Sequence, residues 1–300
     1  MKLTRTPLLL ASSLTLALTS LTSQADESLF GYIKGAETLP KGALEIVQHT
    51  TKRWDKGAGA YTAYDSKTEF EYGVTDKFTA AAYLLGQSVK TQGLLVDGYI
   101  PQDAATGLKL SGLEVSGKYS FLSPAKDDIG LAAYVSAAYT TLDPHSGQKK
   151  DKYTVETWLL GQKNFLDDQL VWVANLGMEA TYAKRKPIEG LPDGFDWNTN
   201  PEMEIGLLAG TGLSYRIAPK WFVGAEALYD TEYETDVGQE RWSIQAGPSV
   251  HYGDKKWWFT LTWLPQLRGG GEKFPEQNDS NLHLIEKTKQ EVRLKIGFNF

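Results

Sequence analysis

The 300-residue sequence contains no cysteine, only three methionines and only four histidines. The lack of cysteine excludes disulfides, thiolate zinc sites, iron–sulfur clusters and cysteine nucleophiles. Acidic residues outnumber Lys and Arg by 37 to 31, a formal net charge of −6, which argues against a nucleic-acid-binding protein. The sequence is instead rich in aromatic residues and glycine, with 9 Trp, 15 Tyr, 11 Phe and 29 Gly, which favours strands over helices.

The first 25 residues have the pattern of a secretory signal peptide. Lys2 and Arg5 precede an apolar run over residues 8–18, and Ser23 and Ala25 occupy the small-residue positions of a cleavage site. The run is about half the length of the roughly 20 apolar residues that a membrane-spanning helix needs. We therefore expect cleavage after Ala25 and export of an acidic chain that begins at Asp26.

No apolar run of the length of a transmembrane helix follows Ala25, so a closed β-barrel is the remaining way to span a membrane. Beyond Gly42, apolar and polar residues alternate with period two, as in strands that have one apolar and one polar face. In the last segment the apolar side comprises Val292, Leu294, Ile296, Phe298 and Phe300. The alternation predicts about twelve strands, near residues 42–53, 60–73, 77–88, 107–121, 128–141, 152–164, 169–183, 202–217, 220–232, 240–252, 255–267 and 287–300.

The connections between these segments alternate in length. Short turns are predicted at 74–76, 123–127, 166–168, 218–220 and 253–255, and longer polar connections at 54–59, 89–106, 142–151, 184–201, 233–239 and 268–286. This alternation predicts an all-β, transmembrane, up-and-down antiparallel barrel over residues 42–300, with short periplasmic turns and longer extracellular loops. Aromatic residues beside the short turns are typical of a membrane-interface girdle; the alternative is a soluble core filled by these rings.

Three segments resemble parts of Gram-negative outer-membrane barrels. Residues 292–300 resemble the C-terminal strand that the barrel assembly machinery recognises, and residues 72–78 are similar to a hairpin turn common in such proteins. Residues 37–42 resemble the segment before the first strand in barrels related to outer-membrane transporters and porins. The resemblance implies residence in the bacterial outer membrane, contact with its lipid and lipopolysaccharide, and recognition by the assembly machinery through the strand that ends in Phe300. It implies no particular solute.

If the apolar faces point to lipid, the polar faces line the lumen. Fourteen charged residues fall on the predicted lumen side, and nine glutamates outnumber five Lys or Arg about two to one when Glu69, Glu71, Glu156 and Glu291 are counted with the residues named below. Such a lining favours cations and polar neutral solutes. The alternative is an internal salt-bridge network that fills the barrel. The lumen candidates that we single out are Glu45, Glu114, Lys118, Glu179, Glu204, Arg216, Glu226, Arg241, Arg293 and Lys295.

Several features bear on whether the lumen is open. Lumen-side glycines leave space, which favours a pathway, whereas residues 26–41 and the loop 268–286 could either fold into the lumen or lie outside it. The glycines are Gly206, Gly210, Gly212, Gly224, Gly247 and Gly297.

The sequence therefore predicts an outer-membrane channel for passive diffusion of small polar or cationic solutes. One alternative is a barrel that hydrolyses lipid, for which His49 and His251 are the histidines to test and Ser249 lies two residues from His251. Another is a plugged barrel with a structural or adhesive role. Acidic residues in the loops fit no cation-binding motif, and we predict no metal, no cofactor and no nucleic-acid partner.

Overall fold

The computed structural model describes residues 29–95, 103–189, 191, 193, 197–234, 238–274 and 277–300. The predicted signal peptide, residues 1–25, lies outside them. In this part of the chain no helix is long and apolar enough to cross a membrane.

The described residues form thirteen strands. They are β1 (Leu44–Trp54), β2 (Ala58–Thr75), β3 (Phe78–Leu95), β4 (Lys109–Leu122), β5 (Gly130–Leu142), β6 (Lys149–Phe165), β7 (Leu170–Arg185), β8 (Pro201–Ala218), β9 (Trp221–Glu234), β10 (Gly238–Gly253), β11 (Trp257–Trp263), β12 (Gln266–Gly271) and β13 (Gln290–Asn299).

The strands close into a barrel with twelve strand positions. From β1 to β10 each strand pairs antiparallel with the next, and β13 pairs with both β1 and β11. Strands β11 and β12 both pair with β10 and together fill one position. The predicted all-β, up-and-down barrel is therefore confirmed.

The predicted segment 255–267 is divided because Pro265 interrupts it. Proline has no backbone N–H to give to a neighbouring strand, so the pairing breaks there and resumes at Gln266. The second half then continues to Gly271, beyond the predicted end. At the same end of the barrel, β2 begins earlier than predicted, and only residues 55–57 connect β1 to β2.

Apolar side chains point outward and polar side chains point inward. On β9, Val223 is 40% exposed whereas Glu226 is 2% exposed. An outward apolar surface is stable only against lipid or another apolar phase, and large contiguous patches of this kind are rare on soluble monomers. The predicted orientation of the two faces is confirmed.

Two bands of exposed aromatic rings surround the barrel. The band beside the short turns contains Tyr72, Phe121, Phe165, Tyr215, Trp221, Trp257 and Phe298. A second band, which the sequence analysis did not identify, contains Tyr64, Tyr139, Tyr153, Tyr182 and Tyr233. On β6 the two bands are represented by Tyr153 and Phe165. The stretch between these two residues is long enough to cross a bilayer, for which a tilted strand needs roughly 9–11 residues.

Candidate functional site

Residues 29–40 lie inside the barrel, and we call them the plug. The backbone N–H groups of Gly31, Tyr32 and Ile33 donate to the carboxylate of Glu226 at 2.8, 2.8 and 3.1 Å. Thr262 Oγ1 donates to the same carboxylate at 2.7 Å. Glu226 is a predicted lumen residue, and it binds the plug rather than lining open space.

Three polar side chains of the barrel wall hold the rest of the plug. Asn175 accepts from the Lys34 N–H at 2.7 Å and donates to the Lys34 carbonyl at 2.8 Å. Gln162 accepts from the Ala36 N–H at 3.0 Å, and Thr79 accepts from the Leu39 N–H at 2.9 Å. The plug has no regular secondary structure, so these side chains satisfy backbone groups that would otherwise be buried without partners.

The plug leaves the lumen beneath the turn between β2 and β3. Thr38 Oγ1 donates to the Asp76 carbonyl at 2.9 Å, and the Lys41 N–H donates to the Asp76 carboxylate at 2.9 Å. Gly73 must be glycine here, because a Cβ atom would lie 2.0 Å from the Pro40 carbonyl oxygen. The two segments that resemble outer-membrane barrels, 37–42 and 72–78, are thus in contact with each other.

Two of the lumen-side glycines, Gly210 and Gly212, accommodate side chains of the plug instead of leaving a pathway. A Cβ atom on Gly210 would lie 2.4 Å from Ile33 Cδ1, and one on Gly212 would lie 2.6 Å from Phe30 Cε1. Phe30 and Ile33 pack with Leu29, Val171 and Val173 in an apolar cluster. For Gly210 and Gly212 our interpretation as evidence for open space was therefore wrong, because the plug, which the sequence did not place there, occupies that space.

A second segment closes part of the opposite end of the barrel. The connection from β12 to β13 packs Phe274, Leu282, Leu284 and Ile285 against lumen-side apolar residues of β2 and β3. Gln266 Oε1 accepts from the His283 N–H at 2.7 Å. Burial opposes ionisation of Glu286 in this connection, but a hydrogen bond with His283 and the nearby Arg241 keep its pKa below the ordinary value.

A cavity of about 460 Å³ lies between the plug and the wall formed by β1 to β7 and β13, and we call it the passage. Its lining extends along β2 from Glu71, near the short turn, to Asp65. Six residue steps along a strand correspond to about 20 Å. The plug supplies Gly31, Tyr32, Ile33 and Lys34 to its other side.

A second cavity, of about 500 Å³, lies towards the long loops, and we call it the vestibule. Its lining comes from β1, β2, β6 to β10 and β13, from the connection at residues 143–146 and from Glu286 and Lys287. The passage and the vestibule are adjacent, because Asp65, Pro144, Lys152, Glu179 and Arg293 line both.

The charges of the two cavities differ from the predicted two-to-one excess of glutamate. Six carboxyl side chains and six Lys or Arg side chains line the passage. In the vestibule ten carboxyl side chains face seven Lys or Arg side chains. The excess of acid is thus confined to the vestibule, and Lys34 of the plug and Lys67 and Lys152 of the wall balance the passage.

The ten predicted lumen residues fall into distinct groups. Glu114, Lys118 and Lys295 line the passage, Glu204 and Arg241 line the vestibule, and Glu179 and Arg293 line both. Glu45 and Glu226 face inward but lie outside both linings: Glu45 accepts from Trp258 Nε1 at 2.6 Å, and Glu226 holds the plug. Arg216 lies at the short-turn rim, where it donates to the Asp167 carbonyl at 3.3 Å.

Ion pairs fix many of these groups in place. Glu114 Oε2 lies 2.8 Å from Lys67 Nζ, and Glu179 Oε1 lies 3.7 Å from Lys152 Nζ. Arg241 pairs with Glu232 at 2.7 Å and with Asp230. Such pairs hold charged side chains against the wall, which leaves a shaped and polar space between them.

The Ser249 and His251 pair lacks the hydrogen bond that a nucleophile and its base require. His251 Nδ1 lies 2.8 Å from Thr260 Oγ1, and within the described residues Ser249 Oγ has no hydrogen-bond partner. His49 lies 2.8 Å from Glu69 on the wall of the passage, with no hydroxyl partner in that contact. The lipid-hydrolase alternative therefore gains no support from these residues.

The comparisons with known proteins concern the family and the fold. The chain belongs to the family described as Family of unknown function (DUF6662), whose match covers residues 22–300. No curated protein matches the chain. The crystal structure of an outer membrane channel from Pseudomonas putida F1 is 13% identical with a TM-score of 0.57, over 88% of this chain and 98% of that one. The β-domain of the Bordetella autotransporter BrkA is 13% identical with a TM-score of 0.51, over 87% and 100%. The chain thus has the fold of outer-membrane barrels.

Proposed function

We propose that this member of the DUF6662 family is an outer-membrane channel that lets small polar and cationic solutes diffuse past the plug. The observation that supports this most directly is that the vestibule and the passage are adjacent and share Lys152, Glu179 and Arg293 in their linings. Together they offer an off-axis route along the wall, so an inserted plug and permeation are compatible.

The preference for cations follows from the charges along this route. Solutes coming from the long-loop side first meet the acidic vestibule, which raises the local concentration of cations. The passage, in which carboxylates and Lys or Arg side chains are equal in number, then admits polar solutes without strongly rejecting either cations or anions. A plugged barrel with a structural role is the second candidate, and the apolar cluster of Leu282, Leu284 and Ile285 at the long-loop end favours it.

Planar-bilayer recordings of the purified protein test the proposal. Discrete, cation-selective openings are expected, and a protein that is folded but gives no openings would contradict the channel.

We predict that the double substitution Glu114→Gln and Glu204→Gln lowers the preference for potassium over chloride. Glu114 compensates Lys67, and Glu204 lies 3.8 and 4.0 Å from the ammonium groups of Lys150 and Lys152. Removing both negative charges takes away the carboxylate paired with Lys67 and leaves Lys150 and Lys152 with Glu202 and Glu179, so the net charge along the route becomes more positive. The reversal potential in a potassium chloride gradient should shift towards that of chloride.

The control for this experiment is Asp254→Asn. Asp254 pairs with Lys220 at 2.9 Å in the β10–β11 turn and lies outside both cavities, so its loss should leave selectivity unchanged. If the double variant and the control behave alike, ions do not travel along the passage and vestibule.

We further propose that the barrel assembly machinery of the cell recognises Phe300. Phe300 is 73% exposed, and its N–H donates to the Leu44 carbonyl at 2.9 Å, which completes the strand that closes the barrel.

Deletion of Phe300 should reduce the amount of this protein in the outer membrane but still allow it to fold in detergent. The control is Phe121→Ala, which removes an exposed ring of the band beside the short turns. Equal amounts of both variants in the outer membrane would refute this role.

A further inference from the structure

The side chain of Lys34 ends between two aromatic rings of the barrel wall. Its Nζ atom lies 4.9 Å from the ring centroid of Tyr134 and 5.5 Å from that of Trp158. Both distances are within the roughly 6 Å over which a cation is attracted to a ring face. The wall also holds the Lys34 backbone through Asn175, so the plug presents this ammonium group at a fixed place.

Two carboxylates complete the surroundings of this ammonium group. Trp158 Nε1 donates to Glu156 Oε2 at 3.0 Å, and the Tyr134 hydroxyl donates to Glu114 Oε1 at 3.3 Å. These bonds orient the rings and place negative charge at their edges. Lys34, Tyr134, Glu114 and Glu156 line the passage, whereas Trp158 does not, so a dissolved molecule in the passage reaches the Tyr134 ring and the two carboxylates directly and the Trp158 ring only when the Lys34 side chain moves away.

Other rings beside the passage also face cations. Lys67 Nζ lies 4.0 Å from the Tyr83 ring centroid, and the Arg293 guanidinium lies 3.8 Å from that of Tyr32. The chain's own cations therefore already cover the aromatic surfaces along the route. Lys34 differs from Lys67 and Arg293 because it belongs to the plug, and its side chain meets rings of β5 and β6, next to the strand β7 that holds its backbone.

We propose that Tyr134, Trp158, Glu114 and Glu156 form a binding subsite for organic ammonium groups, and that Lys34 occupies it when no solute is present. The inference rests on the proposed channel function and adds the class of solute: amines and quaternary ammonium compounds. A solute ammonium replaces that of Lys34, whose side chain moves into the adjacent passage. Anions are disfavoured at this point by the two carboxylates.

The substitution Lys34→Met tests the subsite, because it removes the ammonium and keeps a side chain of similar length. Without the internal competitor, choline and tetramethylammonium should bind about tenfold more tightly, in line with the strength of a cation–π contact. Calorimetry on the protein in detergent measures this binding, and block of the potassium current in a bilayer provides a second readout. Lys41→Met, which removes an ammonium at the short-turn rim, is the matched control.

A second variant separates the subsite from a purely structural role of Lys34. Adding Trp158→Leu to Lys34→Met should abolish the gain in affinity, whereas adding Tyr134→Phe, which keeps the ring, should retain most of it. If Lys34→Met raises conductance but leaves choline affinity as in the control, Lys34 is only an anchor of the plug and the proposal is overturned. If binding tightens but no current is found, the subsite stands and the channel function fails.

Discussion

Glu226→Ala is expected to raise the single-channel conductance severalfold. The carboxylate of Glu226 is 2% exposed and accepts four hydrogen bonds, three of them from the plug backbone. Hydrogen bonds to a charged group contribute about 1.5–3 kcal/mol each, and the substitution would also leave three buried N–H groups without their acceptor. The plug should then leave the lumen for part of the time and widen the route.

Limited proteolysis gives an independent measure of plug release. In the native protein the Lys34 backbone is bonded to Asn175 inside the barrel, which shields it from trypsin. Glu226→Ala should speed cleavage after Lys34. The matched control is Glu204→Ala, because Glu204 also faces the lumen but none of its ion pairs involves the plug. Faster cleavage without a change in conductance would show that the plug does not restrict the route.

The barrel itself follows from local sequence. Alternation with period two is a property of each strand separately, so the inward side of Glu226 and the outward side of Val223 can be read without knowing their neighbours. The same alternation places Asp65 and Lys67 on the lumen side of β2. It also places Tyr153 and Tyr182, which belong to the second aromatic band, on the outward side of their strands. Pro265 was likewise a visible signal for the break between β11 and β12.

The plug could not be predicted in the same way. Its contacts with Glu226 join residues more than 190 positions apart, and on the plug side the donors are backbone N–H groups that every residue except proline carries. Residues 29–40 have no alternation that would indicate what they face. For the same reason Lys34 was not recognised as a lumen cation, and the passage lining appeared more acidic than it is.

The orientation of the two faces is the claim on which the passage, the vestibule and the membrane assignment depend. Ala137 and Ala138 on β5 allow a direct comparison, because they are adjacent and face opposite ways. Ala137 is exposed and pairs with Val115 and Val155, which are 58% and 48% exposed. Ala138 lines the passage and pairs with Glu114.

The most direct measurement is the free energy of unfolding of Ala137→Arg and Ala138→Arg in phospholipid vesicles. Ala137→Arg should lose about 1–3 kcal/mol, and more than Ala138→Arg, because a cation on the lipid face is poorly solvated. Ala137 lies between the middle of the bilayer, where the loss is about 2–4 kcal/mol, and the aromatic band at Tyr139, where it falls to about 0–1 kcal/mol. Ala138→Arg should stay within about 1 kcal/mol of the native protein, because lumen substitutions mainly tune selectivity and Glu114 lies opposite. Equal losses, or a larger loss for Ala138→Arg, would contradict the assignment of the faces and with it the channel.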